Sequence, residues 1–444
     1  MFAVLMVLTG CTGRAIQGEE LTCTASVSET IETVVSVAWT PPAAGTSSVV
    51  FDDGVTDPLT TPETSDSAVD LPLLGMPEDT DVSWTGTTVF EDGTSASCSG
   101  VTHTGSAPSN IPRPETYINE DGQDPAQYVM GAFYTGAGGT GAITQLAAYR
   151  RDGTLVWYLN DAENSSGVDW HYANEGGIWF NEYIGPMGSE YVSLRRVSLT
   201  GEILDDVPTP YAHHLFCQLA DDTLVYQTVD IRDFTDPETG ETGPWVGDGI
   251  VELHPDGSSE QIFSTWDAIE PHHNVRSRQT SVYQGVDWTH GNALIYKAET
   301  DEYLLSTAFA NDILTINRTT REMTAIYGID GLPATPQFDF PHDATWLDNG
   351  NLLTFSEDDT GGGAVEYEVT DAGMTEVWRS PFESKPIALP QARRYPNGNT
   401  FVKGGLAGYL SEVQDDGTTV WAMNPTGSVF AQFAPVSNLY TGEL

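Results

Sequence analysis

Nine histidines punctuate this 444-residue chain, and five of them share one local setting. His171 follows Asp169-Trp170, His213 and His214 are adjacent, His290 closes Asp287-Trp288-Thr289-His290, and His342 opens His342-Asp343. Each stands where a short apolar run begins. Imidazole in such a position suits two chemistries. Neutral rings ligate divalent transition metals, here with Asp287 or Asp343 as helpers. A pKa near the working pH also makes histidine a nucleophile and a general acid or base. The spacing alone leaves both open.

What must position these rings is a repeat. From about Thr116 a unit recurs: a strand, an Asn/Asp-Gly hairpin, and a strand ending in a large residue. The copies starting at Pro341, Pro390 and His213 align, and the outer strands recur as Asp152-Gly153-Thr154-Leu155-Val156-Trp157 and Asp416-Gly417-Thr418-Thr419-Val420-Trp421. An all-strand repeat rich in Asp-Gly turns predicts a β-propeller, whose blades are stable only when packed on one another. Blades opening near Tyr128, Trp170, His213, Thr289, Pro341 and Pro390 make six, spanning 116–444. Ser428 to Tyr440 is too short for a blade and is expected to pair into the first one, closing the ring and hiding its edges. Innermost strands line the central channel, so the histidines should converge on one funnel.

The residues before the repeat read differently. Met1 to Thr9 is apolar but far short of the about 20 residues that cross a bilayer. Leu8-Thr9-Gly10-Cys11 has the pattern of a lipobox, so 1–10 is expected to be a lipoprotein signal peptide, Cys11 the lipidated residue and 11–19 a tether. The mature chain is then exported and anchored to the cell envelope, and Thr12 after the cysteine points to the outer membrane. Residues 20–105 show short alternating strands with Asp53-Gly54 and Asp92-Gly93 turns, a β-sandwich pattern. The run Val37-Ala38-Trp39-Thr40-Pro41-Pro42 and the strand around Trp84 make this segment similar to a fibronectin type III module. Cys23 and Cys98 bracket it and are expected to form a disulfide, while the proline-rich 106–115 reads as a semi-rigid linker. The fold class is therefore all-β, a six-bladed propeller preceded by a small Ig- or fibronectin III-like sandwich.

Charge excludes some partners. Against 64 Asp and Glu there are 17 Lys and Arg, a net −47. The three lysines, Lys297, Lys385 and Lys403, are scattered, and no basic run exists to neutralise phosphates, so nucleic acid is not a partner. With 39% hydrophobic and 10% aromatic residues the chain can still bury a core. The acidic residues concentrate in turns, which suits a saline habitat.

The segment Asp287-Trp288-Thr289-His290-Gly291-Asn292-Ala293-Leu294-Ile295-Tyr296, followed by Leu304-Leu305-Ser306-Thr307 and Ile313-Leu314-Thr315-Ile316-Asn317-Arg318, resembles the central signature of bacterial arylsulfotransferases. Phe340-Pro341-His342-Asp343 and His213-His214 resemble that family's later and earlier histidine motifs. The resemblance implies ping-pong transfer of a sulfuryl group between small phenols, with no cofactor and no metal. On it His342 is the nucleophile that becomes sulfohistidine, His290 with Asn292 binds sulfuryl oxygens and assists the leaving phenolate, and His214 shares that role from the preceding blade. Trp288, Phe340 and Trp346 are candidates to stack an aryl ring. One departure stands out: Ala308 follows Leu305-Ser306-Thr307 where the family has an arginine, so a cation is expected from Arg276, Arg278 or Arg394. A second is Leu215, where the family tends to be acidic. The competing reading is a propeller without catalysis that binds a ligand or protein at the cell surface.

Overall fold

A computed structural model describes residues 19–119, 127–135, 143–160, 169–183, 187–272, 278–280, 285–357, 362–380, 389–405, 409–424 and 429–442. The signal-peptide, tether and Cys11 assignments lie outside these residues. Strands dominate, and the single helical turn among the described residues is Thr265–Asp267. None of the described residues forms a helix long and apolar enough to cross a membrane.

The N-terminal part is two facing sheets. One holds Cys23–Val27, Val35–Trp39 and Val69–Leu73; the other is built on Gly45–Asp52, Asp81–Phe90 and Ser95–His103. Alternation along Val35–Trp39 and Asp81–Phe90 sends Val35, Val37, Trp39, Val82 and Trp84 inward to one core. Cys23 and Cys98 join across it with a Cα–Cα distance of 6.1 Å. The sandwich is docked rather than tethered loosely. Arg150 pairs with Asp53 at 2.7 Å, Tyr440 Oη donates to the Pro72 carbonyl at 2.7 Å, and Ile31, Val34 and Leu74 belong to the propeller's core. The proline-rich connection is packed too: Ala107 and Ile111 are buried, and Arg113 pairs with Glu78 at 2.9 Å.

The rest is six sheets in a ring, antiparallel except where Gly285–Asp287 joins blade 3 and Ala334–Thr335 joins blade 5 by parallel pairing. Blades 2, 4 and 5 read outward from Trp170–Tyr172, Gly291–Lys297 and His342–Trp346. Blade 3 starts with Ala212–Gln218 and extends two long strands, Leu224–Thr235 and Thr242–Leu253. Ring closure uses both ends of the repeat. Val429–Val436 is the innermost strand of blade 1, so Tyr128–Thr135 is its second strand and not the innermost one that the sequence suggested. Glu115–Asn119 adds a fifth, outer strand to blade 6, whose innermost strand is Gln391–Arg394.

Each junction between neighbouring blades carries a polar bond near the channel. Trp170 Nε1 donates to the Gln432 carbonyl (3.1 Å), Phe216 N to Asp169 (3.1 Å), and Gly291 N to Asp248 (2.6 Å). Asn292 Nδ2 donates to the Pro341 carbonyl (3.1 Å), Ala392 N to Asp343 (3.1 Å), and Phe433 N to Gln391 (2.7 Å). These six bonds satisfy backbone groups that leave the ladders where the strands meet, at the point where orphaned polar atoms would cost most.

Candidate active site

Blades 3, 4 and 5 break register where their innermost strands begin, between His213 and Phe216, Gly291 and Ala293, and His342 and Thr345. Blades 2 and 6 pair their two innermost strands without a break. A bulge re-aims the side chains beside it, and the strained backbone there is typical of a working site. His214, His290, Phe340 and Asp343 have φ of 51°, 50°, 52° and 57°. Blade 1 also shifts register against its innermost strand, between Gly131 and Phe133, and the histidines that meet come from blades 3, 4 and 5.

The rings of His213 and His214 lie 5.1 Å apart, as do those of His214 and His290, all edge to face. His342 joins them from blade 5, close enough that its charge state and theirs oppose one another. Their environments set two different protonation states. His290 would be pulled down by burial, but Asp287 Oδ2, 2.6 Å from Nδ1, raises its pKa and favours imidazolium. Burial and the neighbouring His290, His213 and His342 hold His214 well below the usual histidine range. His342 is also held well down, by burial first and then by Lys403, His290 and Arg393. It is therefore neutral. The Pro390 carbonyl accepts from its ring, while Nδ1 is buried with no hydrogen-bond partner and keeps its lone pair.

The cations come from blade 6, though not from the residue expected. Arg394 pairs with Glu366 at 2.7 Å and lies over Trp378, with its guanidinium 5.0 Å from the ring centre. Glu366, which also accepts from Asn349 and Asn351, draws Arg394 away from the channel. Arg393 is the channel residue: its Nη2 sits 2.6 Å from Asp343 Oδ1. Lys403 is fully buried, donates to the Leu389 carbonyl, and has its pKa pushed down by burial to about 7 despite Asp343. Burial in turn raises Asp343 to about 6, with Asp169 adding to it. Arg276 lies outside the described residues, and Arg278 is described only as part of a short strand.

Other assignments shift as well. Trp288 is wholly buried in a core with Trp245, Ile269 and Ala310, so it lines no funnel. Its indole packs on Trp266 at 5.5 Å. Trp346 meets Tyr327 at 5.6 Å in the blade core. The aromatic surface at the site is instead Phe309, stacked on His290 at 4.4 Å and 16°, together with Phe340 at 6.4 Å. Asn292 is fully buried between Ser306 and Pro341, where it positions the residue before His342. Ala308 is buried too, and its N–H holds the His290 carbonyl at 3.0 Å. His171, on blade 2, is bonded to Asp169 at 3.0 Å, packs edge to face on Phe216 and feels the charge of Arg393. Among the described residues no group of three or more His, Cys, Asp or Glu is arranged to hold a metal ion.

Sequence reasoning overlooked Arg393, Lys403, Phe309 and Asp248. Lys403 had a signal, a lysine ending the otherwise uncharged strand Thr400–Lys403 in a chain with three lysines. Arg393 had none beyond its place one residue from Arg394, because which of two adjacent arginines faces the channel depends on where the strand starts.

Three solved structures are similar to the chain at low identity. A Bacteroides caccae protein of unknown function is 14% identical, with 70% of this chain and 100% of that chain covered and a TM-score of 0.46. TolB from Acinetobacter baumannii is 8% identical, with 82% and 80% covered and a TM-score of 0.44. The Pseudomonas aeruginosa periplasmic gluconolactonase is 11% identical, with 69% and 98% covered and a TM-score of 0.41. No curated protein matches the chain. Residues 140–331, which contain His214, His290 and Asn292 and stop short of His342, match the arylsulfotransferase (ASST) family model.

Proposed function

We propose that the protein transfers a sulfuryl group between phenolic compounds by a ping-pong route, with His342 as nucleophile. The observation that carries this reading is the division of labour among the histidines: a neutral, desolvated His342 beside Lys403 and Arg393, facing an imidazolium His290 held by Asp287. Attack on sulfur needs a ring with a lone pair. Negative charge then develops on the sulfuryl and leaving-group oxygens, where preorganised cations and N–H donors act most strongly. Lys403 and Arg393 take the part that Ala308 cannot. Phe309 and Phe340 beside His290 suit an aryl ring, and a site of this sign offsets the net charge of −47 that would repel an anionic sulfate.

The location belongs to the proposal as well. The Leu8-Thr9-Gly10-Cys11 pattern supports export and a lipid anchor at Cys11 in the outer membrane, and a Cys23–Cys98 disulfide suits an oxidising compartment. The sandwich is a spacer of fibronectin III kind. Ala308 is the one observation favouring a propeller that binds without catalysing.

The test is direct. Purified protein is given 4-nitrophenyl sulfate and phenol, nitrophenolate release is followed, and the protein is probed for sulfohistidine. Release that vanishes in His342→Ala supports the transferase. No release by the wild-type protein from neutral to alkaline pH sinks it.

A further inference from the structure

Behind His214 lies a buried chain of groups that the reading above leaves unused. His213 Nδ1 and His214 Nδ1 face one another at 2.9 Å. On its other side His213 Nε2 lies 3.1 Å from Asp248 Oδ1. The second oxygen of Asp248 accepts from Thr289 Oγ1 at 2.5 Å and from Gly291 N at 2.6 Å, the residues flanking His290. All are buried, with His213, His214 and Asp248 exposing 2%, 5% and 2%. From these contacts we infer that Asp248 and His213 form a proton relay that makes His214 the general base for the acceptor phenol. This inference rests on the transferase reading for its function, though not for its geometry.

Elementary hydrogen-bond logic fixes the tautomers. Burial would raise Asp248, but His213, Thr289 and Gly291 lower it, so it is a carboxylate and only accepts. His213 therefore carries its proton on Nε2. In neutral His213 the Nδ1 then holds a lone pair. An Nδ1···Nδ1 bond needs one donor, which must be His214. His214 is thereby fixed as the Nδ1–H tautomer, with a lone pair on Nε2, the nitrogen on the ring's other side.

The second half-reaction then balances. The acceptor oxygen forms a bond to sulfur as the N–S bond of sulfohistidine breaks and its electron pair returns to the His342 ring. The phenolic proton goes to His214 Nε2, and the Nδ1 proton of His214 passes to His213 Nδ1. The resulting His213 imidazolium is neutralised by Asp248. In the first half-reaction the same path runs backward and returns a proton to a leaving phenolate that needs one. Asp248 and His213 touch no substrate and act as positioning residues.

The test separates the two half-reactions. 4-Nitrophenolate leaves without a proton, so His213→Gln and Asp248→Asn should keep the nitrophenolate burst that reports sulfation of the enzyme. Transfer to phenol, whose proton must be removed, should slow by about 100-fold, and the loss should shrink with phenols acidic enough to be ionised already. Equal slowing of both steps, as from a merely structural defect, overturns the relay. Nitrogen-15 spectra of the wild-type histidines supply a readout independent of turnover: His214 should be the Nδ1–H tautomer and lose that preference in Asp248→Asn. An Nε2–H tautomer at His214 in the wild-type protein also overturns the relay. Absence of any burst in the wild-type protein instead defeats the transferase reading, while the spectra still decide the relay.

Discussion

Replacing Lys403 with methionine should make the protein more stable and far less active. The lysine is wholly buried, and its pKa falls from 10.5 to about 7. Desolvation outweighs the attraction of Asp343, so the fold opposes the charged form. A depressed lysine pKa means that the folded state binds the proton more weakly than the unfolded chain. The penalty is therefore complete below about pH 7 and disappears as pH rises towards 10.5. At about 1.4 kcal/mol for each tenfold in proton affinity, the cost at neutral pH is on the order of 4 kcal/mol. Methionine of similar length escapes that cost but leaves the Leu389 carbonyl without its donor, which returns about 1–3 kcal/mol. A net gain of about 1–3 kcal/mol at pH 7 should remain, shrinking at pH 9 where wild-type Lys403 is already neutral. Removing the cation beside His342 should meanwhile cost about 100- to 1000-fold in sulfuryl transfer. Urea unfolding at the two pH values and nitrophenolate release measure both effects. A variant less stable than the wild-type protein at pH 7, or one retaining full transfer, would refute the reasoning.

Three further outcomes are expected. Arg393→Gln should lower kcat/KM for 4-nitrophenyl sulfate by about 10- to 100-fold, because it removes the partner of Asp343 beside the nucleophile, whereas Arg394→Gln should leave kcat/KM unchanged within about twofold and cost about 2 kcal/mol of stability by stranding Glu366; steady-state kinetics and urea titration of both variants compare them. Transfer should decline as pH rises through about 7, where Lys403 loses its charge, with His290 losing its proton above the ordinary histidine value; a rate–pH profile of Lys403→Arg should move the decline upward. Cys23→Ser should destabilise the sandwich by about 4 kcal/mol, since the bridge spans a sequence separation of 75, while leaving nitrophenolate release intact.

The parts of this molecule legible in the sequence are those governed by period. The Asp-Gly hairpins and the apolar alternation before them announced blades, and the shared setting of His213, His214, His290 and His342 announced a common mouth. The closing strand was legible because a ring cannot leave a short remainder unpaired. What stayed hidden depends on register and competition. The bulges at Asn292 and Asp343 decide which way their neighbours point, and no residue pattern marks them. Glu366 competes for Arg394, and that carboxylate is 28 residues away in the chain. Trp288 precedes Gly291–Lys297 and Phe309 follows Glu302–Thr307, yet the larger aromatic fills the core and the smaller one stacks on the histidine.

The closure of blade 1 by Val429–Val436 also sets the order in which the site comes into being. His214, His290 and His342 are all synthesised before that strand, yet the channel they line has no complete wall until it pairs with Tyr128–Thr135 and Phe433 reaches Gln391. A chain cut just before residue 429 would keep every proposed catalytic side chain and lack the bonds on both sides of blade 1's inner strand. Activity would therefore report that the last strand has arrived, so that an unfinished or clipped chain is silent even though its chemistry is encoded in full.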